Sequence, residues 1–371
     1  MSTYVAGTGW VTPLGTGVPE VWDRLLHGDE AKPEPIRDPI GKKVYIAFRI
    51  PGEALNNLPS HPRLRRASAI SRFAAAAGLL ALADAKLPVD ADTAKRIALV
   101  FAIANGGVIY TKRFYHDVVA SGADAASPLL FPETVFNAAA SHLAALIGVT
   151  GTSYTVVGDG AVGLLAMKMA EDLLADQDID YCLVVGAEEA DWLLCDACQK
   201  WRLLRSTPPI EPFNKPAKGT ILSEGAGAVL LARSGTVKLD QAHSGHYSKR
   251  KKAAGALTAV VEEMALPEQA VVIGSANGTF VDEVEADVIS RVLPGAPVYA
   301  PKGALGEGVA AAGLWQVIVA TQVLRTRKLP RAHLNRPADE QHSRLDLTGC
   351  GDAIVTSCGM NQQVAALRLS I

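Results

Sequence analysis

The chain has 371 residues, of which 49% are hydrophobic and only 6% aromatic, and its net charge is -2. That length carries two domains or one large α/β unit with an ample core, and the near-neutral balance excludes the broad basic surface of a nucleic-acid binder. No apolar run reaches the ~20 residues of a membrane span, and MSTYVAGTGW lacks the basic and apolar regions of a signal peptide, so a cytoplasmic protein without a membrane span is expected.

In chain order, Tyr4 to Ala6 reads as a short strand running into Gly7-Thr8-Gly9, and Val18 to Leu26 as a helix with Val18, Val21, Trp22, Leu25 and Leu26 on one side. Pro33 to Pro51 is proline-rich without a period and is expected to be loop. A mostly apolar helix follows from about Ser68 to Lys86. Ile97 to Ala104 (IALVFAIA) is a continuous apolar run, the mark of a strand covered on both faces, and it ends at Asn105-Gly106-Gly107. Ser153 to Val157 predicts another strand, Gly158-Asp159-Gly160 a turn, and the apolar stretch to Leu174 a helix. Tyr181 to Gly186 is a further buried strand ending in Ala187-Glu188-Glu189. In the second half, strands are expected at Gly227 to Ala232, Ala270 to Gly274, Val298 to Pro301, Ala353 to Ser357 and Ala366 to Leu369. Helices are expected at Ala253 to Met264, Asp282 to Val292 and Gly308 to Leu324. Strands alternating with helices predict a layered α/β fold.

The strand-turn-helix unit at Gly158 is where α/β enzymes place a nucleophile or a phosphate-binding loop, because the turn aims N–H groups and one side chain off the sheet. Gly158 to Gly163 is a literal GxGxxG, and Glu188 follows the next strand where a ribose-binding carboxylate would sit. A nucleotide-binding oxidoreductase therefore competes at this point. Against it, the motif lies mid-chain without a catalytic constellation, and tight strand-helix packing explains three glycines as well. Cys195 and Cys198 form a CxxC without a second half-site, which reads as structural thiols. Lys249-Arg250-Lys251-Lys252 reads as a solvated loop, although an acidic carrier protein would find it attractive.

Five collinear stretches then carry a resemblance: VAGTGWVTPLGTGVPEVWDRLLHG at the start, SPLLFPETVFNAAASHLAALIGVTG (Ser127 to Gly151), PFNKPAKGTILSEGAGAVLLA (Pro212 to Ala232), SANGTFVDEVEAD (Ser275 to Asp287) and APKGALGEGVAAAG (Ala300 to Gly313). Together they resemble a β-ketoacyl synthase of the thiolase superfamily. The resemblance implies an α/β, thiolase-like layered αβαβα fold made of two pseudo-repeated halves, residues 1–230 and 231–371, in one compact unit.

It also implies a thiolate nucleophile at the helix N-terminus and two histidines that donate to the malonyl thioester during decarboxylation. Here those positions fall on Gly160, Asn277 in Ala-Asn-Gly-Thr, and Glu307 in Leu-Gly-Glu-Gly. Lys302 and Glu224 are retained. The family's C-terminal gate loop is degraded to Gly359-Met360-Asn361-Gln362-Gln363-Val364. No catalytic residue is thus expected, and the chain resembles a chain-length factor, the nucleophile-lacking ketosynthase partner of type II polyketide synthases, with aryl-polyene systems as the nearest type.

What this implies is a heterodimer with an active ketosynthase that also meets an acyl carrier protein, acting in polyketide, polyene or fatty acid biosynthesis. The partner handles the carrier's phosphopantetheine, and this chain needs no cofactor or metal of its own. Pro132 to Leu146 would lie along the interface, with Phe136, Asn137, Ala140 and His142 as tunnel or interface residues, Phe136 being equally readable as interface packing. Asp159 reads as a helix cap, Glu307 and Lys302 as a salt bridge filling the vacated site, and His142 as a core or interface histidine. An enzyme with altered acyl-thioester chemistry, hydrolysis or acyl transfer, stays open if Asp159, Asn277 or Glu307 face a pocket.

Overall fold

Apolar runs whose alternate side chains have two different cores to join decide the layers of this protein. The computed structural model describes residues 2–39, 41, 43–56, 58–330, 347 and 349–371. Its first part runs β1 (Thr3–Thr12), β2 (Gly15–Thr16), α1 (Val18–His27), β3 (Pro33–Arg37), β4 (Val44–Phe48), α2 (Gly52–Asn56), α3 (Ala69–Asp84) and α4 (Ala91–Lys95). It continues through β5 (Ile97–Ile103), α5 (Val108–Ser121), α6 (Ala138–Ile147), β6 (Ser153–Val157), α7 (Val162–Leu173), β7 (Tyr181–Glu188), α8 (Trp192–Lys200), β8 (Leu222–Ser223) and β9 (Gly225–Ala232). The remainder comprises β10 (Val237–His246), α9 (Ala253–Glu262), β11 (Val271–Ile273), α10 (Phe280–Val292), β12 (Val298–Tyr299), α11 (Lys302–Leu305), α12 (Ala310–Thr326), β13 (Asp352–Cys358) and β14 (Gln363–Ser370).

The main sheet has the order β12-β11-β13-β14-β10-β1-β9-β7-β5-β6. Among the described residues, its two ends are joined where Thr3–Val5 of β1 pairs with Val237–Leu239 of β10. Helices α7 and α12 touch strands of both ends, α7 against β5 and β10, α12 against β9 and β13, so they form a central layer. Helices α3 and α6 cover the outer face on one side, α9 and α10 the other. The result is the αβαβα layering expected from sequence.

Alternation assigns the side chains. Ala98, Val100 and Ala102 of β5 face the central helices, whereas Ile97, Leu99, Phe101 and Ile103 face α3 and α6. Helix α12 is buried on every side from Ala310 to Leu324, as a central-layer helix must be. A Cβ on Gly163 would come within 3.1 Å of Ala310 O and 3.2 Å of Gly313 Cα, so this glycine lets α7 and α12 touch.

Two regions differ from the sequence expectation. Pro33 to Pro51, expected to be loop, contains two strands: β3 and β4 pair antiparallel, and β4 adds β8 in parallel through Ala47 and Leu222. The prolines Pro33 and Pro35 sit on the edge strand, where a missing N–H costs no ladder bond. Ile36, Tyr45 and Ala47 pack there on Cys195 and Cys198 of α8 in a small separate core. Strand β10 escapes sequence reading because it is only half-buried and carries Asp240, Gln241 and His243 among its apolar residues. Among the described residues no helix is long and apolar enough to cross a membrane.

Candidate functional site

The turn between β6 and α7 begins with Gly158 N donating to Ile103 O at 3.0 Å. Two residues on, Gly160 is buried, and Ser357 Oγ donates to its carbonyl at 3.1 Å. A Cβ placed on Gly160 would find Gly359 Cα at 3.6 Å and both Glu307 Oε1 and Lys302 Nζ at 3.8 Å. The fold therefore brings together positions 160, 302, 307 and 359, which the sequence scatters over two hundred residues.

Glu307 is delivered by a forced turn. Gly306 has φ +84, and a Cβ there would lie 2.6 Å from the Phe48 ring, so only glycine fits. The small sheet then grips the next residue: Glu307 N donates to Ile221 O at 2.9 Å, and Ser223 N donates to Glu307 O at 3.0 Å. Its carboxylate accepts from Lys302 Nζ at 2.7 Å and Asn277 Nδ2 at 2.6 Å on Oε2, and from Val309 N at 3.0 Å on Oε1. Val309 reaches that position at φ +44, a strained conformation for a β-branched residue. The Asn277 carbonyl is used as well, accepting from Thr279 Oγ1 at 2.6 Å. With Asn277 0% and both Lys302 and Glu307 1% exposed, the cluster is buried and each of its polar side-chain atoms has a hydrogen-bond partner.

Three further carboxyls surround it, each held by backbone N–H groups. Asp282 accepts from the N–H of Asn277 and of Phe213, both at 2.7 Å, and Glu285 from Ser275 N at 2.9 Å and Thr356 Oγ1 at 2.9 Å. Burial pushes the pKa of both upward while these donors and the Lys302 ammonium pull it back. Asp159 does not cap α7, whose N-cap is Ala161 without a side-chain bond; it accepts from Ala161 N at 3.2 Å within the turn. It also accepts from Asn361 N at 2.8 Å, clamping the C-terminal loop over the site; burial raises its pKa. A Cβ on Gly359 would collide with the Asp159 carboxyl, so a larger residue there would have to displace that side chain.

The other expected residues lie elsewhere. Glu224 accepts from Ile50 N at 3.1 Å and from Arg49 Nε at 3.2 Å, tying β4 to the start of β9. Phe136 and Asn137 are exposed, and the Phe136 ring rests on Gly106, whose Cβ would come 2.8 Å from it. Ala140 is 2% exposed, in the core where α6 meets α3. His142 is half-buried and pairs through Nε2 with Glu133 Oε1 at 2.7 Å. Met360 is half-buried in the clamped loop.

The glycine turn is packed solid rather than open to a phosphate. Gly158 abuts the Gln363 side chain, Gly163 abuts α12, and Glu188, read as a ribose ligand, is fully buried and accepts from Ala104 N and Asn105 N. That geometry argues against a dinucleotide. Burial pushes the Cys195 and Cys198 thiols to about 12 within the small core.

One surface feature was only half legible in the sequence. The basic loop of Arg250 and Lys251 borders a cleft of about 630 Å³ with Lys215, Phe280, Glu283 and Asp287, and Arg250 stacks 4.6 Å from the Phe280 ring. An adjoining 300 Å³ pocket reaches Thr279 and Asp282, both bonded to Asn277. The sequence showed the lysines but not the aromatic floor supplied from α10.

Models of two families match: Beta-ketoacyl synthase, N-terminal domain, over residues 3–236, and Beta-ketoacyl synthase, C-terminal domain, over residues 230–335. The chain belongs to the β-ketoacyl synthase family. The 3-oxoacyl-[acyl-carrier-protein] synthase 2 of Vibrio cholerae is 26% identical over 234 residues, covering 61% of this chain and 56% of that protein, so the match spans little more than half of that relative. The polyketide biosynthesis malonyl-ACP decarboxylase PksF of Bacillus subtilis is 26% identical over 369 residues, covering 91% and 87%. Among solved structures, the ishigamide ketosynthase/chain length factor superposes with a TM-score of 0.84 at 20% identity, covering 100% of this chain and 98% of that one.

At the centre of the site Gly160 has no side chain, and the Asn277 amide and the Lys302 ammonium both donate to the Glu307 carboxylate.

Proposed function

We propose that this chain is the non-condensing, chain-length-setting half of a heterodimer with an active β-ketoacyl synthase that elongates carrier-bound acyl chains in polyketide, polyene or fatty acid biosynthesis. The observation that carries the reading is the saturated Lys302–Glu307–Asn277 cluster beneath Gly160. The Lys302 ammonium and the Asn277 amide are both engaged by the Glu307 carboxylate, while the scaffold around them is kept.

The outer face supports a protein partner. Strand β6 ends the sheet, and Tyr154 (47% exposed) and Val157 (48%) stand open on it. Leu129, Phe131, Val135 and Phe136 are exposed alongside, and α5 has no buried residue in its fourteen positions. An unpaired edge with an apolar border of this kind is avoided in monomers and suits strand-to-strand association. In this reading Phe136 reaches into the partner's acyl tunnel, the partner binds the carrier's phosphopantetheine, and the cleft at Arg250 and Lys251 offers cations to the acidic carrier protein.

The test is co-expression with a ketosynthase from the same gene neighbourhood. A stable one-to-one complex is expected, whose product lengthens when Phe136→Ala is introduced; a chain that purifies alone and condenses malonyl and acyl carrier thioesters by itself would sink the reading.

Decarboxylation is the second reading, favoured by the PksF match over nearly the full chain, because that step needs no nucleophile. It would require the Asn277 and Lys302 donors to leave Glu307 for the enolate oxygen. Release of carbon dioxide from a malonyl carrier thioester by the isolated chain, lost in Lys302→Met, would establish it in place of the first.

A further inference from the structure

The C-terminal loop is tied to the vacated turn by bonds that run in both directions. Residues 359–362 link β13 to β14 and pass over Gly160, with Gly359 Cα 3.6 Å from where a Gly160 Cβ would stand. The Asp159 carboxylate accepts from Asn361 N at 2.8 Å and Gln363 N at 3.4 Å, both on Oδ2. In return Asp159 N donates to Gln363 Oε1 at 2.8 Å, and that side chain fills the space over Gly158. Tyr247, 4% exposed and one residue past β10, fixes the other flank: its hydroxyl donates to Gly359 O at 2.6 Å and its N–H to Gln362 O at 2.7 Å. Gln362 itself sits at φ +87, a conformation that a residue with a side chain keeps only where its surroundings over-determine it.

The loop also stands between two spaces. On its inner side Gly359 meets Gly160, and Ser357 Oγ, two residues back, donates to the Gly160 carbonyl. On its outer side Met360 packs against the core of α9 and α10 and the core beneath the small sheet, the same two that Phe280 joins from the aromatic floor of the surface cleft. The Tyr247 hydroxyl feels the charge of Asp159 from the inner side and of Arg250 from the cleft.

We propose that residues 359–363 form a fixed partition, locked by Asp159, Gln363 and Tyr247, which closes the surface cleft off from Gly160. A loop that swings open has few bonds to leave behind. Opening this one breaks all five of the bonds named above, two of them to a charged acceptor. Whatever enters the cleft therefore stops at Met360, short of the Lys302–Glu307–Asn277 cluster. The partition belongs to the isolated chain and does not depend on the heterodimer reading.

A reporter thiol tests it. The five native cysteines are buried, and Gly160→Cys places one more thiol directly behind the loop, read by peptide mapping after exposure of the folded chain to iodoacetamide at fixed pH. With the loop intact, position 160 is expected to stay unlabelled long after the denatured chain has reacted. Adding Asp159→Ala to Gly160→Cys is expected to raise the labelling rate by about tenfold or more, since bonds to a charged acceptor are lost, and adding Gln363→Leu to raise it by less. Labelling behind the intact loop at the rate of the denatured chain, or a rate that neither addition changes, overturns the partition. Should these variants fail to fold, amide exchange of the wild type decides: protection at Asn361 and Gln363 supports the partition, and exchange at the rate of an open loop overturns it.

Discussion

The ground beneath Gly160 and the face around Phe136 are built on opposite principles. Below Gly160 every polar atom of Lys302, Glu307 and Asn277 has a partner and no solvent reaches them. Around Phe136 a whole helix has no fully buried residue and a sheet edge is unpaired among the described residues. The comparison teaches where polar groups are satisfied from within the chain and where apolar side chains are left exposed: the cluster beneath Gly160 is bonded internally, whereas the edge around Phe136 keeps large hydrophobic side chains at the surface.

Breaking the sealed region should produce the largest effect. Lys302→Met leaves Glu307 as an unpaired buried carboxylate, and removing one partner of such a pair costs roughly 3–5 kcal/mol; chemical denaturation should show it. The double variant Lys302→Met with Glu307→Gln should recover most of that loss. If the single variant is as stable as the wild type, the cluster is not a structural plug.

Next in size is the pH dependence. Glu188 keeps its proton to about pH 8 in the folded chain, against 4.5 in an exposed reference, and Glu189 keeps its own to about 7. The folded state therefore binds more protons than the unfolded one across that window, and stability should fall as pH rises from 4.5 towards 8. Thermal melts at graded pH test this, and Glu188→Gln should flatten the slope.

The outer face should respond in association and hardly at all in folding. Tyr154→Lys and Val157→Lys, both on the exposed edge strand, should change stability by no more than about 0.5 kcal/mol while abolishing co-purification with the ketosynthase. A complex that survives both would place the interface elsewhere.

In activity the smallest effect is expected at Gly160 itself. Its Cβ position has no neighbour closer than 3.6 Å, and the added Sγ enters a buried cluster, so Gly160→Cys should fold at a cost of roughly 1–3 kcal/mol. Condensation should still be absent, because Asn277 and Glu307 remain in place; a condensing Gly160→Cys variant would show that the nucleophile alone was missing.

Much of this was decided by sequence alone. The IALVFAIA run, the strand-turn-helix unit at Gly158 and the unbroken apolar stretch from Ala310 determined the layered α/β fold, because strands and helices buried on all sides have to be apolar throughout. The absence of a side chain at Gly160 and the amide and carboxylate at 277 and 307 were equally plain. Only the tertiary structure decided what these residues do together: Glu307 meets Lys302 and Asn277 because Gly306 and the β8 backbone turn it inward, across separations that periodicity does not encode. It also decided that Ala140 faces the core, that β10 is a strand despite its polar residues, and that Glu188 grips the turn under Phe136. Local pattern fixes what an element is; which side chain finds which partner depends on the crossing of layers, and that is a property of the whole chain.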